Sequence, residues 1–353
     1  MTMRADWSSF LVAFAVSVLL TFPVRQLALR FGIVDKPGPR KVHSKPMPLL
    51  GGVAIYLGLI AAVVRAFHSA MSKEILAVIA GATLLLLVGI LDERGFLHHQ
   101  IKLFIGMPIA AVFLLVAGIR AHVFSEFISG PIGVFMDICL TLFWTVGITA
   151  AFSILDHMDG LCAGIAAIAG AFFAFSANDS GQPFVWMLAS CAMGAALGFL
   201  VWNFNPAKIF MGDGGAMMLG FLMATLGLTL HPANAEFPIA QIVPILIFGV
   251  PVFDTTLISI SRSRRGLIPF TSPGKDHSAH RLTNLGLRHR GAVLSLYAVA
   301  VLFGAAGLAL PRLTGNTAYA LLGSLVLAGA IAVAFLESVP FERQVKVSRR
   351  EAA

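Results

Sequence analysis

The sequence predicts an all-α, polytopic membrane protein with about eleven transmembrane helices, its N-terminus outside and its C-terminus cytoplasmic. Three observations carry this. Apolar residues make up 58% of the 353 positions and charged residues only 12%, far from the balance of a soluble domain. The apolar residues gather in runs of roughly 16 to 24, close to the ~20 that a helix needs to cross the hydrocarbon core. The runs are rich in Leu, Ala, Val, Ile, Phe and Gly without strict alternation, which favours helices over a barrel.

The runs lie near 8–29, 50–67, 75–91, 101–119, 132–153, 161–177, 184–203, 214–231, 237–260, 292–311 and 317–336. The first lacks a small-residue cleavage site and is long enough to span, so it is expected to be a retained helix. The longest polar connection, 261–291, leaves no room for a separate soluble domain, which predicts one domain over 1–353. Short cytoplasmic loops collect Lys and Arg. With the loop after the first run inside, only Arg4, Arg65, Lys73, Arg120 and Arg312 of the 25 basic residues fall outside. The net charge of +8 is then a topology signal, and nucleic acid is not expected as a partner. Cys139, Cys162 and Cys191 fall in or beside runs without CxxC spacing, so they are expected in the core, with neither a disulfide nor a zinc site.

Five connections on the basic side hold the chemistry, near 33–52, 92–102, 154–160, 203–215 and 261–291. In the first, four prolines exclude helix, Gly51 and Gly52 permit a tight turn, and Arg40, Lys41, His43 and Lys45 form a basic face. That face is also what an anchor to anionic lipid would need. In the second, Asp92 and Glu93 precede Lys102; paired carboxylates hold a divalent cation or accept a proton. The third places Asp156 and Asp159 three residues apart, on one face if the segment is helical. No Lys or Arg lies between Ala121 and Pro206, so the pair suits a cation or substrate better than a structural bridge.

The fourth, NFNPAKIFMGDGG from Asn203, sets Lys208 and Asp213 among glycines and a proline between two apolar runs. Polar, flexible backbone between two spans is costly, and this arrangement suits a magnesium-bound phosphate. In the fifth, Asp276, His277, His280 and Arg281 form the polar centre. An isolated HxxH is a weak metal motif, which makes phosphate contact the better functional reading. Arg262, Arg264 and Arg265 are expected to anchor a helix end at the lipid headgroups.

These residues resemble the polyprenyl-phosphate N-acetylhexosamine-1-phosphate transferases over nearly the whole chain. The family's RKVH loop ending in Gly-Gly is similar to Arg40–His43 and Gly51–Gly52, and its paired-acid loop to Asp92–Lys102. Its Asp-x-x-Asp-Gly motif matches Asp156, Asp159 and Gly160. Its FNFxPAKIFMGDxGS signature, the most specific match, is nearly reproduced by Asn203–Gly215, with Ala216 at a Ser position, and its DHxHHRL resembles Asp276, His277, His280, Arg281 and Leu282.

The resemblance implies transfer of a sugar 1-phosphate from a UDP-sugar to a polyprenyl (undecaprenyl) phosphate, releasing UMP. It implies the cytoplasmic face of a bacterial inner membrane and the first membrane step of cell-wall or surface-polysaccharide synthesis, with a homodimer as an expectation. It also implies Mg2+, for which Mn2+ substitutes, held by Asp213 and Asp159. Asp92 would be the acid nearest the attacking lipid phosphate, accepting its proton or helping to hold the metal, with Glu93 as the second catalytic acid of that loop, and Asp156 and Asp159 would face nucleotide and metal. His277, His280 and Arg281 would engage the diphosphate or the sugar, with Lys45, Lys102, Asn203, Lys208 and Asp276 as further substrate contacts. The chain departs from the pattern at Glu93 for Asp, Ala150 and Ser153 for Asn, His157 for Gly, and Ser278 and Ala279 within the histidine run. A divergent member with altered donor or lost turnover, and a secondary transporter, are the alternatives. The transporter predicts midplane acids and an internal repeat, and the acids cluster at one face instead.

Overall fold

The computed structural model describes residues 7–37, 45–67, 71–97, 99–235, 237–268 and 274–340. Arg40, Lys41 and His43 of the first basic loop lie outside them. Each apolar run forms helix. The order is α1 (Ser8–Arg30), the ribbon β1 (Val34–Asp35) and β2 (Met47–Pro48), α2 (Gly51–Phe67), α3 (Lys73–Glu93) and the single turn α4 (His99–Ile101). A π-helical turn, Lys102–Gly106, leads into α5 (Met107–Ala117). Then come α6 (Pro131–Leu155), α7 (Leu161–Asp179), α8 (Pro183–Asn203), α9 (Gly212–Thr229), α10 (Ile239–Ile247), α11 (Gly249–Arg264), α12 (Ser278–Asn284), α13 (His289–Ala309) and α14 (Asn316–Ser338).

Among the described residues, seven helices are long and apolar enough to cross a membrane, or eight with α10 and α11 taken as one span. That pair is bent by 78° at Phe248, a break the continuous apolar run did not reveal. The chain is thus an all-helical membrane protein with seven to eight such spans by length and composition. Residues 51–67 and 102–117 form shorter apolar helices.

Helix α9 is the axis of the bundle. It is buried on all sides from Gly214 to Leu226, as expected of a helix apolar all round. Helices α3 and α6 are its main neighbours, with α2, α7 and α8 also packed against it. At the periphery, α14 buries only Ala318 and Leu336. Interhelical hydrogen bonds tie buried polar atoms to neighbouring backbones: Ser17 to the Ala195 carbonyl at 2.9 Å, Trp202 to Val18 at 3.0 Å and Trp144 to Ala224 at 3.0 Å. Such bonds matter where lipid offers no alternative partner.

Three sequence expectations are corrected by the packing. Cys162 and Cys191 are buried, but Cys139 lies on the exposed side of α6, since only one face of α6 meets the bundle. Residues 156–160 form a turn between α6 and α7, so Asp156 and Asp159 do not share a helical face. Arg262 and Arg265 turn inward to a buried carboxylate, described below, because an acid enclosed in the bundle needs cationic partners more than lipid headgroups do.

Candidate active site

The polar end of the bundle is assembled by backbone contacts that glycine makes possible. Gly51 and Gly52 donate their N–H groups to the carbonyls of Phe210 and Met211 at 3.0 and 2.8 Å, and Phe210 donates to Pro48 at 2.8 Å. The Gly-Gly end of the first loop is therefore stitched to the PAKIFMGD segment. Next to it, a Cβ on Gly89 would overlap the backbone of Gly214, and one on Gly52 would overlap Gly215. Only bare backbones let α2 and α3 approach α9 this closely, and the approach carries Asp213 to the C-terminal end of α3.

Asp92, Glu93, Lys102 and Asp213 meet there. Lys102 Nζ lies 2.9 Å from Asp92 Oδ2 and pairs also with Asp213 Oδ2, so one ammonium group bridges two carboxylates. Glu93 Oε1 accepts the backbone N–H of Asp213 at 2.6 Å, while its Oε2 is buried without a partner among the described residues. Asp156 caps the C-terminus of α6. Burial, with the Asp213 and Asp159 carboxylates, pushes its carboxyl up to about 7.

The Asp156–Gly160 turn is held to the 203–207 segment. Asp159 Oδ2 accepts hydrogen bonds from Asn205 Nδ2 and the Ala207 N–H, both at 3.0 Å. Asn203 spends both ends of its amide inside the protein, accepting from the Gly160 N–H at 2.9 Å and donating to the Ile209 carbonyl at 3.0 Å. Its visible task is joining the two loops. The Tyr297 hydroxyl donates to the Gly160 carbonyl from α13. Lys208 is exposed, with Nζ 5.2 Å from the Trp202 ring centre, and Lys45 is exposed at the start of the described part of its loop.

The last loop is organised by buried charges. Arg262 grips Asp276 through Nε to Oδ2 at 3.0 Å and Nη2 to Oδ1 at 2.8 Å, and Arg265 pairs with the same carboxylate. Burial raises the Asp276 pKa, but the two guanidinium groups outweigh it and bring the value down to about 2. Arg281 is wholly buried and donates to the Asp276 carbonyl at 2.8 Å, Ser261 Oγ at 2.8 Å and Glu337 Oε2 at 3.1 Å. Asp276 and Arg281 thus anchor the loop. His277 Nδ1 lies 2.9 Å from Asp254 Oδ2, and Asp254 Oδ1 accepts the Ser278 N–H and Oγ–H at 2.7 and 2.6 Å. His157 stacks on His277, with ring centres 4.1 Å apart and planes 22° apart, and lies 5.0 Å from the His280 ring. Burial and the nearby His277 bring His280 down to about 4, and the same causes hold His157 well below the ordinary imidazole value.

The chain is similar over most of its length to bacterial enzymes of known type. Residues 75–231 match the model of glycosyl transferase family 4. A Bacillus subtilis protein, a probable undecaprenyl-phosphate N-acetylglucosaminyl 1-phosphate transferase, is 36% identical over 87% of this chain and 85% of its own. The chain belongs to glycosyl transferase family 4. A decaprenyl-phosphate N-acetylglucosaminephosphotransferase of Mycobacterium tuberculosis is 34% identical over 90% of this chain and 86% of its own. An undecaprenyl-phosphate alpha-N-acetylglucosaminyl 1-phosphate transferase of Yersinia pestis is 28% identical over 89% and 87%.

In this family 4 chain, sequence reasoning passed over Asp254, Tyr297 and Glu337. Asp254 carries a signal, since an acid inside an apolar run asks for a partner, and run length alone does not weigh it. Tyr297 and Glu337 have none, because each bonds a residue distant in sequence, Gly160 at 137 positions and Arg281 at 56, and only the fold brings the partners together.

Proposed function

We propose that this protein transfers an N-acetylhexosamine 1-phosphate from a UDP-sugar to a polyprenyl phosphate, releasing UMP. The observation that carries the reading is the junction of Asp92, Lys102 and Asp213, where two separate polar loops meet around one cation, in a chain whose relatives are named for this kind of transfer. The three shorter helices α2, the 102–117 helix and α9 are read as crossing too, which with the seven long helices and the bent pair makes eleven crossings. The basic loops then face the cytoplasm of a bacterial inner membrane.

Magnesium is the ion this reading calls for. Asp213, Asp159 and Asp156 offer carboxylate oxygens, the hard ligands Mg2+ prefers, and the unpartnered buried Glu93 Oε2 marks a place where positive charge is wanted. Asp213 and Asp159 would hold the ion, which supplies charge neutralisation to the donor diphosphate. Lys102 neutralises charge beside Asp92, where the attacking lipid phosphate is expected. That phosphate is largely ionised at neutral pH, its second pKa being about 6, so positioning matters more than a general base. His277 and His280 face the diphosphate or sugar.

The polyprenyl chain has a candidate berth in an apolar groove of about 770 Å³ between the bent pair and α14, lined by residues such as Leu246, Phe253, Phe303 and Gly329. Arg264 and Glu337 also line it, and Glu337 bonds Arg281 of the histidine loop. Membranes holding the protein should convert labelled UDP-sugar and polyprenyl phosphate to lipid-linked sugar diphosphate, and EDTA or Asp213→Asn should abolish the product. No product with any of a panel of UDP-sugars would sink the reading.

A further inference from the structure

The last turns of α1 meet the 202–208 segment on the outer surface of the bundle. Trp202, in the last turn of α8, donates from its indole to the Val18 carbonyl at 3.0 Å, and its ring lies 6.1 Å from that of Phe22. The Lys208 N–H donates back to the Trp202 carbonyl at 2.9 Å, which closes the segment on itself and sets the ammonium 5.2 Å from the indole centre. Arg25 stands three residues beyond Phe22, on the same face of α1, and donates from Nε to the Lys208 carbonyl at 3.0 Å. Lys208 thus carries one cation and holds a second. Among the described residues neither cation meets a carboxylate, and the two Nη groups of Arg25 have no acceptor. Four N–H donors and an ammonium are left to take an anion.

We propose that Arg25, Lys208 and Trp202 bind the headgroup of an anionic phospholipid. Both α1 and α8 are among the long apolar helices, and Leu19, Phe22 and Val201 are exposed on them beside the cations. In a membrane such side chains face acyl tails. A Trp at the end of a span with Lys and Arg next to it matches the boundary between tails and headgroups, where an amphipathic ring and a snorkelling cation are both at home. A phosphodiester there supplies oxygens for the Nη and Nζ donors, and its tails lie along Leu19 and Phe22. A mobile basic loop attracts anionic lipid diffusely. Here three hydrogen bonds hold the ring and both cations in place, which makes a single site. Free phosphate offers similar oxygens without tails, and the acceptor polyprenyl phosphate has its candidate groove beside α14.

The test reads bound lipid rather than product and does not depend on the transferase reading. Full-length protein is delipidated in neutral detergent, given phosphatidylglycerol or phosphatidylcholine, and scored by native mass spectrometry. The wild type should keep one phosphatidylglycerol per chain under conditions that strip phosphatidylcholine. Arg25→Gln and Lys208→Gln should each weaken retention roughly fivefold, whereas Arg25→Lys should keep most of it. Arg288→Gln, which removes an exposed charge at the start of α13, should leave it unchanged. As a readout that needs no charge variant, phosphatidylglycerol brominated near its headgroup should quench emission that Trp202→Phe lacks. Excess inorganic phosphate and equimolar polyprenyl phosphate should both leave the lipid in place. Equal retention or equal quenching by the two phospholipids would overturn the site, as would Gln variants that elute as folded protein with wild-type retention. Displacement by inorganic phosphate would make it a free-anion site instead, and displacement by polyprenyl phosphate would make it part of the acceptor site; either result refutes the proposal.

Discussion

Glu93 holds Asp213 by its backbone, with Oε1 accepting the Asp213 N–H at 2.6 Å. The bond fixes the first turn of α9 against the end of α3, so Glu93 sets where the Asp213 carboxylate points. Replacing Glu93 by Ala should lower transferase turnover by roughly 10- to 100-fold, the usual cost of losing a group that orients a metal ligand. Glu93→Gln keeps an oxygen acceptor and should recover part of that loss. Steady-state rates at saturating magnesium decide it; Gln no better than Ala would assign Glu93 a role through its charge instead.

Asp156 makes stability fall as pH rises. Its carboxyl, at about 7 in the fold, stands well above the unfolded value of about 3.9. Between these values the native state holds a proton that the unfolded state has lost, so raising pH favours unfolding. The cost begins above the unfolded value and is complete above the folded one. In EDTA, the melting temperature should drop from about pH 5 to about pH 8, and Asp156→Asn should flatten the slope. An Asn variant with the wild-type slope would remove Asp156 from this account.

The sequence made the helices legible because length and apolarity are local properties, and each of the runs is helix in the structure. Pro37, Gly51 and Gly52 likewise announced a non-helical loop, and the Asp213 segment announced its cost. What could not be read was pairing. Arg262 and Arg265 look like a headgroup anchor until Asp276 is found buried between them. His157 looks like a defect in the Asp156–Gly160 motif until the fold sets its ring against His277. The bend at Phe248 lies between Pro244 and Pro251, inside one apolar run whose length gives no sign of a break.

Arg281 predicts a structural rather than a kinetic phenotype. Its buried guanidinium joins Asp276, Ser261 and Glu337, so it ties the histidine loop to α11 and α14. Arg281→Ala leaves Glu337 facing an uncompensated site and should cost on the order of 3–5 kcal/mol, read as a lower melting temperature in detergent. Arg281→Lys should rescue little, because a point-charge ammonium cannot replace a fork of fixed donors. A Lys variant with unchanged melting and reduced turnover would mean that Arg281 acts on substrate directly.

The groove beside α14 gives the acceptor lipid a test of its own. Gly329 lines it, and among the described residues nothing stands within 4 Å of a Cβ placed there. Gly329→Phe therefore adds a ring to the groove without displacing a neighbour, and stability should hold or rise slightly, since helix propensity favours Phe over Gly by a few tenths of a kcal/mol. The ring would occupy volume that the polyprenyl chain needs. The KM for polyprenyl phosphate should rise about tenfold, the equivalent of ~1.4 kcal/mol of lost apolar contact, while the KM for the UDP-sugar stays put because the nucleotide loops are untouched. Shorter prenyl acceptors, which leave the far end of the groove empty, should be less affected. Equal changes for both substrates would place the chain elsewhere, along another face of α11.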